Sequence, residues 1–470
     1  MTKLCLVILN YTHILYISIV NLYMPSKKDY SYQAEQDVHR ITLYNTVYPE
    51  HQHRAQKDRL YIHFDFACFY AQVEQLRKNL YGIPLIVGGW RKENGTVKGI
   101  VATSSYEARA MGIKTGMSAY EAYKHCPYVC MLQVDYASYT AISKQVHHIL
   151  NRYSHRIERY SMDEYFMDGS FLLGKEEPQI RRFGEQLQQE ICEATGLYGS
   201  IGIARSKTYA KLASGLNKPR GISLILSDED ERMYIHPLPL NEVWGVGRRR
   251  YEHLLAEGYA TIRDVVTHNQ VDTFIRLFGP HFGRMLFQTI TGQDQGRILE
   301  ENDEYSPKWG VSYGHTFSEG STDAEAIKGE FAIGIEMICY RMRAYGIRAS
   351  SFGGMIGFDH DHYPNIGFRF VTPSYTHITK YVYDAFIHEL GAKIDAFCSL
   401  GMAVRNLILG TQDMDKTSQM NLFFRDEQEQ TERYKAIDHI NNRYGKGTIQ
   451  SARSLYRVEG NTHFLERNSG

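Results

Sequence analysis

The sequence is poor in cysteine, and its cysteines follow no repeated spacing. The seven that occur are an odd number and lie far apart in the chain, which indicates free thiols in a reducing compartment rather than a disulfide framework. Cys126 and Cys130 stand four positions apart, but no second pair and no suitable histidine spacing follows them. A structural zinc site is therefore not expected.

The chain also lacks an excess of charge of either sign. Lys plus Arg and Asp plus Glu both number 53, so the formal net charge is zero. The total charge gives no indication of a nucleic-acid partner, and only local clusters of cations could do so. The length of 470 residues and the hydrophobic content of 43% indicate a globular protein of several domains.

The N-terminal run from Leu4 to Met24 is mostly apolar and long enough for a membrane span. It carries polar residues such as Asn10 and His13, and it lacks a small-residue cleavage site. We prefer the interpretation that it is a translated leader, with Met24 or a later residue starting the functional protein, to that of a weak membrane anchor. Residues 25–57 are polar and are interpreted as an extended arm.

Three acids stand in apolar surroundings. Asp163 and Glu164 are adjacent within the aromatic stretch 158–168, and Asp65 lies in the similar stretch 59–70. Buried carboxylates require partners or a metal, and adjacent acids require cations nearby. Three carboxylates at strand ends are also what a pair of divalent cations requires for phosphoryl transfer. The alternative is that each acid caps a strand or meets a surface lysine.

Short apolar strands alternate with helices in the first half of the chain. Strands are predicted at 60–64, 85–89 and 99–103, and long helices at 135–153 and 178–195. This alternation predicts an α+β domain with a mixed sheet. A helical region at 241–295 and a polar linker at 300–308 follow, and residues 309–409 have the order strand, helix, two strands, helix, strand.

Four blocks of the sequence carry a family resemblance. Asp65–Glu74, Val101–Arg109, Ser161–Glu164 and Gly202–Ala213 occur in the order and spacing of the signature blocks of Y-family translesion DNA polymerases, of the bacterial polymerase IV and polymerase V type. Lys218–Gly221 extends the match. The resemblance spans residues 59–425, and the combination of four linked blocks makes it specific.

The resemblance implies an α+β, multidomain right-hand polymerase with palm, fingers, a small helical thumb and a βαββαβ little finger. After an N-terminal extension at 1–57, the implied domains are the palm (58–69 and 132–232), the fingers (70–131), the thumb (233–298), a linker (299–308), the little finger (309–410) and a C-terminal tail (411–470).

The resemblance also assigns the acids. Asp65 and Asp163 would bridge two Mg²⁺ ions, Glu164 would bind the catalytic ion, and the carbonyl of Phe66 would complete the nucleotide-side ion. Such ions lower the pKa of the primer 3′-hydroxyl and neutralise charge on the triphosphate. Ala67 departs from the family, which commonly has a second acid there. Because that acid is not a metal ligand, we expect activity to survive, with metal affinity the property in doubt.

The nucleotide contacts implied by the resemblance lie in the same blocks. Tyr106, Arg109 and Lys211 would hold the β- and γ-phosphates, with Thr103 beside them. Tyr70 would be the steric gate that excludes a ribose 2′-hydroxyl. The alternatives are solvated surface charges for the cations and a core aromatic for the tyrosine.

Two further contact surfaces are implied. Ile100 and Ala102 match the small roof over the nascent base pair, so the site should be permissive. In the predicted thumb, Gly245, Gly247 and Arg248 precede a helix, where backbone N–H groups can approach a DNA phosphate.

The tail adds a partner. Gln419–Phe423 resembles the sliding-clamp peptide of bacterial polymerases, with Gln419 fixing the backbone and Leu422 and Phe423 filling an apolar pocket. The implied partners are primer–template DNA, a deoxynucleotide, the clamp and accessory subunits of the SOS response, in the cytoplasm and without a membrane.

The function that follows is error-prone, template-directed DNA synthesis across damage. A catalytically silent DNA-binding scaffold is the first alternative, although such a relative would be expected to lose the acids. A nucleotide cyclase is the second, although it has no need of a thumb, a little finger or a clamp peptide.

Overall fold

The computed structural model describes residues 59–91, 93–294, 296, 298, 310–359, 363–415, 425–445 and 447–455. The described residues form two compact units, the first within 59–298 and the second within 310–455. The predicted N-terminal extension, the linker 299–308 and the Gln419–Phe423 peptide lie outside the described residues. No described helix is long and apolar enough to cross a membrane.

The first unit begins with strands alternating with helices, as predicted, and ends with helices. Its elements are β1 (Tyr61–Phe66), α1 (Phe69–Lys78), β2 (Leu85–Val87), β3 (Trp90–Arg91), β4 (Val97–Lys98), β5 (Thr103–Ser104), α2 (Tyr106–Ala110), α3 (Ala119–His125), β6 (Cys130–Leu132), α4 (Tyr136–Leu150), β7 (Ile157–Arg159), β8 (Glu164–Asp168), a 3₁₀ turn (Ser170–Leu172), α5 (Glu177–Thr195), β9 (Gly199–Ala204), α6 (Lys207–Leu216), β10 (Ile222–Ile225), α7 (Asp228–Asp230) with a wider turn (Glu231–Ile235), a 3₁₀ turn (Leu240–Glu242), α8 (Arg248–Ala256), α9 (Ile262–His268), α10 (Val271–Phe278) and α11 (Pro280–Ile290).

The main sheet of the first unit has five strands in the order β10-β9-β1-β8-β7. Its neighbours are antiparallel except for β9 and β10, which are parallel, so the predicted mixed sheet is confirmed. Every residue of β1 and β9 is buried, because β1 is central and helices cover the sheet. The buried polar side chains of β1, His63 and Asp65, therefore depend on partners within the protein, Ser214 and Lys218.

Helix α6 approaches the sheet closely at a glycine. A Cβ atom at Gly202 of β9 would lie 2.1 Å from the carbonyl oxygen of Ala210 and 2.4 Å from the backbone nitrogen of Ser214. Only glycine therefore allows this distance between α6 and β9. The approach places the middle of α6, including Lys211, against the central strands.

A smaller three-stranded sheet, in the order β5-β2-β6, lies between α1 and α4 in the chain. The prediction of one continuous strand over 99–103 is wrong. Gly99 has a φ of +103°, so the backbone leaves the extended conformation there, and Ile100 makes only an isolated bridge to Ser118. The regular strands stop at Lys98 and resume at Thr103.

The second unit has the predicted βαββαβ order. Its elements are β11 (Ser312–Ser321), α12 (Ala324–Ala344), β12 (Ala349–Phe358), β13 (Ile366–Thr376), α13 (Thr379–Ser399), β14 (Val404–Thr411), α14 (Arg425–Tyr444) and a 3₁₀ turn (Ala452–Leu455). The antiparallel sheet has the order β11-β14-β12-β13, and α12 and α13 pack on one of its faces over an apolar core.

Helix α14 docks on the two helices of this unit. The guanidinium of Arg343 donates to both carboxylate oxygens of Asp438, at 2.6 and 2.9 Å, and its carbon lies 4.9 Å from the ring centre of Tyr434. The hydroxyl of Tyr340 donates to Asn442 at 2.7 Å. Arg343 is therefore engaged inside the protein, where it also donates to the carbonyl oxygen of His377 at 2.9 Å.

Candidate nucleotidyl-transfer site

The three acids come together through strand pairing. Asp65 in β1 is the direct antiparallel partner of Glu164, the first residue of β8. The backbone N–H of Phe66 donates to the carbonyl oxygen of Asp163 at 3.0 Å. Strand ends that are about a hundred residues apart in the sequence thus place Asp65, Asp163 and Glu164 at one edge of the sheet.

A tight turn between β7 and β8 presents the adjacent acids. The hydroxyl of Ser161 donates to Asp163 Oδ1 at 2.5 Å and accepts from the backbone N–H of Glu164 at 3.1 Å. The backbone N–H groups of Tyr160 and Ser161 both bond to the carbonyl of Glu164, at 3.0 and 3.2 Å. The Ser161–Glu164 block therefore folds onto itself and holds both carboxylates at the strand entrance.

Lysines neutralise two of the acids. Lys218 Nζ lies 2.5 Å from Asp65 Oδ2, and Lys211 Nζ forms an ion pair with Glu164 Oε1. Lys218 was not assigned a role from the sequence; the only signal available was its place in the Lys218–Gly221 block. The lysines show that this edge of the sheet concentrates negative charge that needs cations.

The pKa of Asp65 reflects the same crowding of negative charge. Burial, aided by the negative charges of Glu164 and Asp163, raises the pKa of Asp65 to about 6, against the opposing effect of Lys218. Among the described residues, no group of three or more histidine, cysteine, aspartate and glutamate side chains is already gathered around a point that could hold a metal. The carboxylates bond to their own partners instead.

The residues nevertheless fit a pair of divalent ions in donor chemistry. Hard cations take carboxylate and carbonyl oxygens, and this edge offers Asp65, Asp163, Glu164 and the backbone carbonyl of Phe66. The ammonium groups of Lys211 and Lys218 place beside two of these carboxylates the positive charge that metal ions would supply. Rotation of these long side chains would release the oxygens.

Tyr70 lies in the first turn of α1, four residues after the end of β1, and packs among aromatic rings. Its ring stacks on Tyr139, with centroids 4.4 Å apart and planes 14° apart, and meets Tyr136 edge-on at 6.0 Å. Burial raises the pKa of Tyr70 to about 12. Because Tyr139 is fully buried, its stacking fixes the half-buried gate candidate.

The predicted phosphate contacts occupy two helices. Tyr106 begins α2 and Arg109 follows one turn later, with the guanidinium carbon 5.1 Å from the ring centre of Tyr106 and Nε donating to the carbonyl of Ser104 at 3.1 Å. The buried hydroxyl of Tyr106 has no hydrogen-bond partner within the described part of the chain. Such an orphaned donor beside a guanidinium is suited to an anionic ligand. Thr103 is buried in β5.

The roof and thumb candidates are exposed. Ile100 is 58% exposed and Ala102 is half-buried, so the predicted roof has an open face. Gly247 is the N-cap of α8, and Arg248 follows it with its side chain 92% exposed and bonded to Glu252 at 2.9 Å. Gly245, two residues earlier, accepts a bond from Arg250 at 2.7 Å through its carbonyl.

Comparison with known proteins decides the family. The sequence model of the impB/mucB/samB family matches residues 64–215, the part that contains the acids. A DNA polymerase IV of Methanoculleus marisnigri is 30% identical over 295 residues, covering 62% of this chain and 78% of the relative. The chain belongs to the Y-family of DNA polymerases.

Other relatives agree with this family. A DNA polymerase IV of Lactococcus lactis subsp. cremoris is 35% identical over 258 residues, which cover 54% of this chain and 69% of the relative. One of Streptococcus agalactiae is 31% identical over 275 residues, with 57% and 73% covered. Among solved structures, a Y-family DNA polymerase chimera superposes with a TM-score of 0.63 at 19% identity, over 76% of this chain and the whole of that one. This last likeness confirms the fold.

Proposed function

We propose that this Y-family polymerase extends a primer on damaged template DNA by two-metal nucleotidyl transfer from a deoxynucleotide. The observation that carries the assignment to residues is the pairing of Asp65 with Glu164 across β1 and β8, with Asp163 bonded to the same strand through its carbonyl. The relatives that share this part of the chain are named DNA polymerase IV.

The chemistry asked of the acids is positioning and charge neutralisation. Asp65, Asp163, Glu164 and the carbonyl of Phe66 would hold two Mg²⁺ ions, which would supply charge for the attacking 3′-oxygen and the leaving diphosphate. Lys211 would leave its ion pair with Glu164 for the triphosphate, joined there by Arg109 and the Tyr106 hydroxyl. Such transfer depends on alignment more than on covalent chemistry, so the rigid strand pairing is what the reaction requires.

The site would be closed toward the sugar of the incoming nucleotide and open toward the nascent base pair. Tyr70, held by its stack on Tyr139, would exclude the ribose 2′-hydroxyl. The exposed Ile100 and small Ala102 would leave room around the nascent base pair, which supports low fidelity and tolerance of lesions.

Partners and setting complete the proposal. Gly245, Gly247 and Arg248 would hold the DNA backbone, and Gln419, Leu422 and Phe423 would bind the sliding clamp. We place the protein in the cytoplasm, acting with accessory subunits of the SOS response and raising the mutation rate. The buried or half-buried free cysteines of the described residues are compatible with such a reducing compartment.

Primer extension by the purified full chain tests the activity. With Mg²⁺ and deoxynucleotides, the wild-type protein should extend a primer past a template lesion, and the matched Asp163→Ala variant should not. Absence of extension by wild-type protein that binds the DNA would support a silent scaffold. Conversion of a nucleoside triphosphate to a cyclic product without DNA would support a cyclase.

A further inference from the structure

Trp244 links two parts of the first unit that the proposed function uses separately. It directly precedes Gly245, in the turn that leads into α8. Its indole meets the ring of Tyr160 edge-on, with centroids 4.9 Å apart and planes 70° apart. It also stacks on Phe166 of β8, with centroids 6.4 Å apart. The residue beside the candidate DNA-phosphate turn therefore lies against the acid-bearing turn and strand.

Tyr160 continues this connection to the reacting groups. The ammonium of Lys211 lies over its ring, 5.1 Å from the ring centre, and forms an ion pair with Glu164. The backbone N–H of Tyr160 donates to the carbonyl of Glu164 at 3.0 Å. A shift of Tyr160 would therefore move a candidate metal ligand and a candidate triphosphate contact together.

A buried ion pair also lies beside the indole. Lys207 Nζ lies 2.6 Å from Glu158 Oε2, with both side chains 6% exposed, and it also lies 4.6 Å from the ring centre of Phe166 and 5.5 Å from that of Trp244. Aromatic faces attract an ammonium most strongly when water is excluded. Trp244 is 39% exposed, so part of the indole packs against this cluster while the rest reaches solvent.

We propose that Trp244 is a positioning residue that couples the seating of DNA at the Gly245–Gly247 turn to the placement of Lys211 and Glu164. The proposal rests on the proposed function and adds to it a route of contact from the DNA backbone to the nucleotide site. Trp244 touches neither the triphosphate nor the metal ligands in this scheme; it acts through the ring of Tyr160.

Single-nucleotide incorporation kinetics provide the first test. Trp244→Leu should raise KM for the deoxynucleotide by roughly tenfold, since small displacements of aligned groups cost rate and affinity, while the Kd for primer–template DNA stays within about twofold. Trp244→Phe, which keeps an aromatic face, should recover most of the loss. An equal weakening of DNA and nucleotide binding would overturn the proposal, because Trp244 would then only support the turn.

A double-mutant cycle tests the route. Tyr160→Leu should give a similar rise in KM, and the Trp244→Leu, Tyr160→Leu double variant should be no worse than the poorer single variant, since residues that act through each other are not additive. Independent, multiplying effects of the two substitutions would overturn the route through Tyr160.

Fluorescence separates this proposal from the proposed function. The chain has three tryptophans, so replacing Trp90 and Trp309 by phenylalanine leaves Trp244 as the reporter. With a dideoxy-terminated primer, DNA should change its emission, and deoxynucleotide with Mg²⁺ should change it again. The second change should vanish in Lys211→Met. An emission that ignores the nucleotide, or a second change that persists in Lys211→Met, would refute the coupling. Failure of wild-type extension would instead defeat the proposed function.

Discussion

Asp65 and Glu164 face each other across β1 and β8, whereas Asp168 lies at the other end of β8, opposite Tyr61. This geometry separates the proposed catalytic end of this strand pair from its opposite end. Asp65→Asn and Glu164→Gln should each lower the rate of primer extension by at least about 10³-fold, because each removes a charge that the transition state needs.

The matched control for these variants is Asp168→Asn. Asp168 pairs with Arg156 at 3.4 Å near the surface, and such a pair contributes little. Its loss should leave extension within about twofold of wild type. The assay is extension rate at saturating DNA, with DNA affinity measured alongside; equal losses in all three variants would contradict the assignment of the acids.

Tyr70→Ala should admit ribonucleotides, because the ring that would lie beneath the sugar is removed. We expect the ratio of deoxynucleotide to ribonucleotide incorporation to fall by at least about 100-fold. Tyr70→Phe keeps the ring and loses only a hydroxyl whose bond, to Met162 Sδ at 3.5 Å, is weak. It should retain the discrimination of the wild type, and unchanged sugar selection in Tyr70→Ala would rule out the gate.

Deletion of residues 419–423 should abolish stimulation by the sliding clamp and leave distributive synthesis intact. The reason is that the proposed apolar and amide contacts to the clamp all lie in that peptide. Deletion of five residues at 462–466 is the length-matched control and should preserve stimulation. Equal loss of clamp-dependent and clamp-independent synthesis would refute the clamp assignment.

Breaking the ion pair between Arg343 and Asp438 should release α14. The two side chains are 7% and 16% exposed, so Asp438→Asn leaves a largely buried guanidinium without its counter-charge. We expect a loss of about 2–4 kcal/mol in the local free energy of opening, visible as faster amide hydrogen exchange along α14. Glu432→Gln, whose pair with Lys435 is solvent-exposed, is the control and should change exchange little.

His377, just before α13, should make the second unit sensitive to acid. Burial, with the positive charges of Arg348 and Arg343, lowers the pKa of His377 from 6.5 to about 4. Between these two values the imidazole of His377 is protonated in the unfolded chain but neutral in the folded unit. The contribution of His377 to folding stability is therefore complete above pH 6.5 and is lost as the pH drops toward 4.

The measurement is the melting temperature of the full chain against pH. Wild type should lose roughly 1–3 kcal/mol more than His377→Gln between neutral pH and pH 4, after allowance for partial exposure of the ring. The two variants should be parallel above neutral pH. Parallel curves throughout the acid range would show that His377 is not responsible.

Much of the architecture follows from periodicity. The βαββαβ order of the second unit was predicted because its strands and helices are long, and the mixed sheet of the first was predicted from the alternation of apolar strands with helices. The short strands were not: β6 and β10 escaped prediction, and the strand predicted over 99–103 is interrupted at Gly99. Their length is set by pairing across the chain, which local pattern does not contain.

The candidate site shows a similar division. The acids, Tyr70 and Lys211 were found through linked sequence blocks. Lys218 on Asp65 and Trp244 against Tyr160 were missed, because a lysine or tryptophan in a loop has no periodic signal. The sequence also gives no indication that Arg343 pairs with Asp438, because a contact between helices about a hundred residues apart leaves no local pattern.

Each unit buries apolar side chains of its own. Those of the first gather around the main sheet, the small sheet and helices α8 to α11, and those of the second lie between its sheet and α12 and α13. Loss of order in one therefore need not spread to the other. If proteolysis removed the second unit, the remaining residues 59–298 should therefore keep the strand pairing that brings Asp65 and Glu164 together.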